Sequence, residues 1–158
     1  MARFKNVLTK YNVAELTNDD ASKVDSWLPL AKFISNVEPE ANDETEEYAW
    51  YDGDGVLTTE VTSARPSYTI EGQRFYGDEA QDLIASKEYE TGDNRYIAFQ
   101  KIDPNGDTFT GKATVSDIVT GGGEAQEHGA FSCVITWAEK PELEKVTSED
   151  KTPEVPEG

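Results

Sequence analysis

The stretch Tyr76-Gly77-Asp78-Glu79-Ala80-Gln81-Asp82-Leu83-Ile84-Ala85-Ser86-Lys87 decides the fold, because it carries a helical pattern in a chain that otherwise reads as strands. Ala80, Leu83, Ile84 and the stem of Lys87 recur at helical spacing, so they share one face of a short helix over residues 78–87. Asp78 suits the N-cap, Gln81 stands where a capping box places Glu or Gln, and Glu79 and Asp82 suit the positive helix end. A helix this short is stable only when its apolar face is covered. Ala80, Leu83 and Ile84 are therefore expected to pack against a sheet, with the helix on that sheet's outer face.

The flanking segments supply the strands. Pro66 opens one in which Tyr68 and Ile70 share a face and Thr69, Glu71 and Gln73 the other. After the helix, Thr91-Gly92-Asp93-Asn94 turns the chain into a strand over residues 95–102, and Asp103-Pro104-Asn105-Gly106-Asp107 is a tight turn. In residues 108–119, Phe109, Gly111, Ala113 and Val115 oppose Thr110, Lys112, Thr114 and Ser116. Beyond Gly121-Gly122-Gly123, Phe131, Cys133, Ile135 and Trp137 oppose Ser132, Val134 and Thr136. Each of these strands buries one side and shows a small, polar one. Residues 27–37 read as one further strand, with Leu28, Leu30 and Ile34 on one face and Ala31, Phe33 and Val37 on the other.

Residues 1–26 form an arm of two readings: Phe4, Val7, Leu8 and Tyr11 fit a helical face, while Val7, Thr9, Tyr11 and Val13 fit a strand. The main domain spans residues 27–138. Residues 139–158 are rich in Lys, Glu, Thr and Pro and read as a flexible tail.

Residues 38–65 are the most unusual segment. No basic residue stands between Lys32 and Arg65, while Glu40, Asp43, Glu44, Glu46 and Glu47 accumulate and Tyr48, Trp50 and Tyr51 interrupt the acidity. Asp52-Gly53-Asp54-Gly55 is a hairpin turn signal, followed by strand-like Val56-Leu57-Thr58-Thr59-Glu60-Val61-Thr62. A disordered acidic linker seldom holds three aromatics in four residues. The expectation is a long hairpin loop, mobile in the free chain and ordered by a neighbour; a solvated loop with a satellite aromatic cluster is the other reading.

The net charge of −18, from 32 acidic and 14 basic residues, excludes attraction to nucleic-acid backbone or anionic membrane. Cys133 is the lone cysteine, expected as a small buried hydrophobe. The N-terminus lacks the apolar run of a signal peptide, and no run approaches the ~20 residues of a membrane span, so a soluble chain made in the cytoplasm is expected. Asp103, Asn105 and Asp107 mimic the start of a calcium loop, but Thr108 and Thr114 stand where its glycine and glutamate belong. His128 has no metal-spaced cysteine partner, and no Gly-x-Ser-x-Gly elbow exists. We expect no enzyme and no cofactor.

Residues 27–40, the acidic aromatic hairpin, the helix from Gly77 to Ile84, Tyr89-Glu90-Thr91-Gly92, residues 113–119 and Phe131-Ser132-Cys133 together form an ordered series. That series resembles the major tail (tail tube) protein of long-flexible-tailed bacteriophages of Gram-positive hosts. The resemblance implies a mainly β fold, a β-sandwich or half-barrel with one packed helix, assembling as stacked hexameric rings whose lumen conducts DNA without binding it. It implies a virion-tail location after assembly in the host cytoplasm, with tail-tip, tail-terminator and tape measure proteins as partners. Glu40, Asp43, Glu44, Glu46, Glu47, Tyr48, Trp50 and Tyr51 become candidates for tying ring to ring. Glu71, Gln73, Thr110, Thr114 and Ser116 become candidates for facing the lumen, where like charge within a Debye length of ~8 Å keeps phosphate off the wall. The rival is an acidic binding module such as a DNA-mimic inhibitor. A mimic needs a regular exposed line of acids, and here the acids cluster in loop and tail.

Overall fold

The computed structural model describes residues 3–17 and 19–145. Eight strands form one antiparallel sheet: β1 (Lys10–Ala14), β2 (Leu28–Pro29), β3 (Ile34–Glu40), β6 (Ser67–Gln73), β7 (Tyr96–Ile102), β8 (Thr108–Val119), β9 (Ala130–Trp137) and β10 (Glu142–Glu144). They run in the order β2-β1-β7-β8-β9-β6-β3, with β10 added to the start of β8. Among the described residues, strands β4 (Glu44–Tyr48) and β5 (Thr58–Ser63) pair with each other alone, as a separate ribbon. Among the described residues the one α-helix, α1, is Glu79–Ala85.

Alternation in the strands builds one core. Ile70 of β6, Ile97 and Phe99 of β7, Ala113 and Val115 of β8, and Phe131, Cys133 and Ile135 of β9 are almost wholly removed from solvent. Tyr68 of β6 touches Tyr11 of β1 at 5.8 Å between ring centroids and Phe99 at 5.6 Å. Strands β1 and β6 stand four places apart, a separation of about 19 Å in a flat sheet. The ring contacts therefore require the sheet to curl into a half-barrel with its apolar side concave.

Helix α1 fills the concave side. Ala80 and Ile84 are buried in the core cluster and Leu83 packs against it. The helix thus packs on the sheet's apolar side, inside the curl, and leaves the opposite side, which carries Thr110, Thr114 and Ser116, free of it. The Asp78 carboxylate accepts from Gln81 N–H at 3.2 Å, as an N-cap should. Gln81 does not close a capping box. Its fully buried amide accepts from Phe75 N–H at 2.9 Å and donates to the carbonyls of Gln73 at 2.9 Å and Lys32 at 3.3 Å, satisfying the frayed end of β6.

The structure decides three further expectations. The strand expected over residues 27–37 is broken into β2 and β3, because Phe33 adopts φ 60° and reverses the chain. The Phe33 carbonyl then accepts from Gln73 N–H at 2.8 Å and lies where a side chain on Gly72 would begin. Only glycine permits that approach. In the arm, residues 10–14 are a strand inside the sheet, and 3-10 turns occupy Asn6–Leu8 and Ala21–Lys23. In the tail, Glu142–Glu144 pairs with Thr108–Thr110 as β10; the tail expected from residue 146 onward lies outside the described residues.

Candidate functional site

The convex face of the sheet is the first candidate surface. Thr110, Thr114 and Ser116 alternate with the buried Gly111, Ala113 and Val115 along β8, and Glu71 and Gln73 alternate with Ile70 along β6. All five candidates therefore share the face opposite the core. Register sets their neighbours: Thr114 lies between Tyr96 and Thr136, Ser116 beside Val134, and Glu71 between Ser132 and Asn36. Toward β1 the polar groups join. Asn12 Nδ2 donates to Gln100 Oε1 at 2.8 Å, and Gln100 Nε2 donates to Thr110 Oγ1 at 3.5 Å.

This face is not bare throughout. Ala14 of β1 and Ala98 of β7 meet Ala21 in a second small cluster, covered by Leu16, Val24 and Trp27. Small residues are needed there because the turn Ala21–Lys23 lies directly on the sheet. Beside it, Lys112 holds Asp19 at 3.6 Å and stands 4.5 Å above the Tyr96 ring, so its charge is partnered within the chain. Strands β8, β9 and β6 carry the uncovered part, an array of hydroxyls with Glu71 and Gln73 at its border.

The ribbon is the second surface. Every residue of β5 is exposed, as is all of β4 except Tyr48. Glu44, Glu46, Glu47 and Tyr48 thus belong to a paired ribbon rather than to an irregular loop, with Trp50 and Tyr51 at its turn, while Glu40 ends β3 and Asp43 lies in the connection. Tyr48 and Trp50 stack at 5.3 Å, and the Tyr48 hydroxyl donates to Glu46 Oε1 at 2.8 Å, which raises the phenol above its usual range. Glu46 stands directly opposite Glu60, a like-charge pair that weakens an isolated ribbon.

Asn42, which the sequence reading passed over, fixes the ribbon's base. In a left-handed conformation (φ 55°), its amide donates to the Arg65 carbonyl at 3.0 Å and to Ser67 Oγ at 2.9 Å. Asparagine is among the few residues tolerant of that conformation, so an Asn between two strand patterns was the available signal. Phe4, Val7 and Leu8, the apolar residues read in the N-terminal arm, are left largely exposed.

Among the described residues, no cluster of His, Cys, Asp and Glu is placed to hold a metal, and no helix is long and apolar enough to cross a membrane. Cys133 is buried and its thiol is pushed up to about 12 by desolvation, consistent with packing rather than reactivity.

The sequence matches no described protein family and no curated protein. The fold does have solved counterparts. A chain in the tail of an empty gene transfer agent particle, with C6 symmetry, superposes with a TM-score of 0.69 at 12% identity, covering 90% of this chain and 100% of that one. A chain of the native gene transfer agent virion gives 0.55 at 18% identity over 84% of this chain and 100% of that one. A chain of the anti-feeding prophage cap, which terminates a tube, gives 0.54 at 13% identity over 92% and 93%. At these identities the likeness establishes the fold: this curled sheet with one helix inside is an architecture shared with chains of phage-like tails.

Proposed function

We propose that the chain is a structural subunit of a phage-like tail tube, forming hexameric rings that stack. The observation that carries this reading is the likeness, over nine-tenths of this chain and the whole of the other, to a chain of a C6-symmetric tail. The chemistry agrees with it. A convex face of hydroxyls and amides, with Glu71 at its border, turns toward the bore. Phosphate meets no unpartnered cation at Lys112 there, and the chain's large negative charge keeps DNA moving. The ribbon reaches to the neighbouring ring, and the remaining tail proteins (tip, terminator, tape measure) contact the ends and the bore. The assignment to phages of Gram-positive hosts rests on the sequence series alone.

Electron micrographs of the concentrated protein test this reading. Hollow tubes with six-fold end views are expected; particles of monomer size at every concentration, or stoichiometric capture of a basic protein without tubes, would overturn it. Replacing residues 44–63 by a short Gly-Ser linker is expected to abolish tubes and leave the circular dichroism of the sheet in place. Tubes formed by that variant would remove the ribbon from the ring-to-ring contact.

A further inference from the structure

The turn between β7 and β8 carries chemistry that neither the sheet nor the ribbon uses. Asn105 is followed by Gly106, whereas every other asparagine of the chain precedes a residue with a side chain. Such a side chain crowds the approach of the next backbone nitrogen to the asparagine amide; glycine leaves that approach open. Asn105 is exposed at the tip of the turn, and Gly106 adopts φ 100°. The Asn105 side chain is folded back along its own backbone: Oδ1 accepts from Asp107 N–H at 3.0 Å, and Nδ2 donates to Asp107 Oδ2 at 3.3 Å. A side-chain oxygen bonded two residues onward encloses the peptide between, so the Asn105 amide is held beside the Gly106 nitrogen. The Asp107 N–H also points at the oxygen where negative charge gathers when the amide carbon is attacked. One bond opposes the attack. Gly106 N–H donates to the Asp103 carbonyl at 2.8 Å, inside a turn closed by Asp103 N–H on the Asp107 carbonyl at 2.8 Å.

We propose that Asn105 is a self-modification site, converted to aspartate and isoaspartate through a cyclic imide, with the Gly106–Asp103 hydrogen bond as its latch. Once the latch opens, Gly106 N gives up its proton and bonds to Asn105 Cγ. The Cγ–Nδ2 bond breaks, and Nδ2 leaves as ammonia with that proton. Water then opens the imide, at Cγ to give aspartate or at the Asn105 backbone carbonyl carbon to give isoaspartate. The net change is one water consumed and one ammonia released. Either product sets a third carboxylate between Asp103 and Asp107 and removes the Nδ2 donor to Asp107. Isoaspartate also routes the main chain through Cβ, which breaks the spacing that closes the turn. Asn105 borders a groove shared with Arg3, Phe4 and Lys101, so the modification alters the charge and shape of that end of the sheet. None of this depends on the tube reading.

The test keeps dilute full-length protein in warm, mildly alkaline buffer beside a sample unfolded in guanidinium chloride, and follows the tryptic peptide of residues 102–112 by mass spectrometry. The mass gain of an amide turned to an acid, and methylation by isoaspartate methyltransferase, are expected in that peptide before any other asparagine changes. The folded chain should convert about tenfold more slowly than the unfolded one, the effect of one net hydrogen bond. Asn105→Gln, which would have to close a larger ring, should abolish the change, with circular dichroism confirming that it folds. Asp52-Gly53 and Asp54-Gly55 can form the same imide by losing water, but they gain no mass and fall in another peptide. Earlier conversion of another asparagine, or an intact Asn105 in the folded chain when the unfolded chain has fully converted, overturns the site. Equal rates in the two samples overturn the latch.

Discussion

Strands β8 and β9 and strands β4 and β5 use the same antiparallel ladder to opposite ends. In the first pair alternate residues are buried, from Gly111 to Val115 in β8 and along all of β9, and side chains from five strands and α1 close on one another around Phe99, which touches Tyr11, Tyr68 and Trp137. In the second pair nothing is buried, carboxylates face each other, and the largest apolar groups stand at the turn in solvent. A two-stranded ribbon is marginal in water even without like charges. The sheet is explained by the monomer; on the proposed reading the ribbon is explained by a neighbour that the monomer meets.

If that division holds, substitutions in the curl cost stability and substitutions in the ribbon cost assembly. The largest effect is expected for Phe99→Ala, which empties the centre of the aromatic cluster and should cost about 3–5 kcal/mol in chemical denaturation. Cys133 serves as an independent reporter: its thiol, unreactive in the folded chain, should react earlier along the denaturant axis by the same free energy. A smaller loss, about 2–3 kcal/mol, is expected for Gln81→Leu, which fills the same space but leaves Phe75 N–H and the Gln73 carbonyl without partners. Equal stability in that variant would show that α1 is held by its apolar face alone.

The two regions also differ in how legibly the sequence states them. Strands β8 and β9 could be read residue by residue, because burial on one side writes hydrophobicity with period two, and α1 because Ala80 and Ile84 repeat at helical spacing beneath an Asp78 cap. Strands β4 and β10 could not. Glu-Thr-Glu-Glu-Tyr and Glu-Leu-Glu have no buried side, so pairing leaves no trace in hydrophobicity, and only Asp52-Gly53-Asp54-Gly55 betrayed the ribbon. The break at Phe33 was hidden for a different reason. A left-handed turn is normally signalled by Gly or Asn, and here an aromatic takes it, held by its ring against Phe75 at 5.2 Å and its carbonyl against Gly72. Gln81 misled because the capping-box position and the position facing the end of β6 coincide on one turn of helix. The convex polar face was legible as alternation, but its partial cover was not: Ala14, Ala21 and Ala98 are ordinary residues until the fold brings them together.

The smallest stability effect separates the regions most sharply. Trp50→Ser with Leu57→Ser removes two exposed apolar side chains from a ribbon that pairs with no strand of the sheet, so the denaturation midpoint should move by less than about 0.5 kcal/mol. The concentration at which tubes appear should nevertheless rise at least about tenfold, since on the proposed reading those side chains find cover only in the assembled state. A variant that melts early while still forming tubes at the wild-type concentration would reverse the assignment. The ribbon's turn would then belong to the monomer's own packing, and its acids would be left as a solvated surface with no partner to explain them.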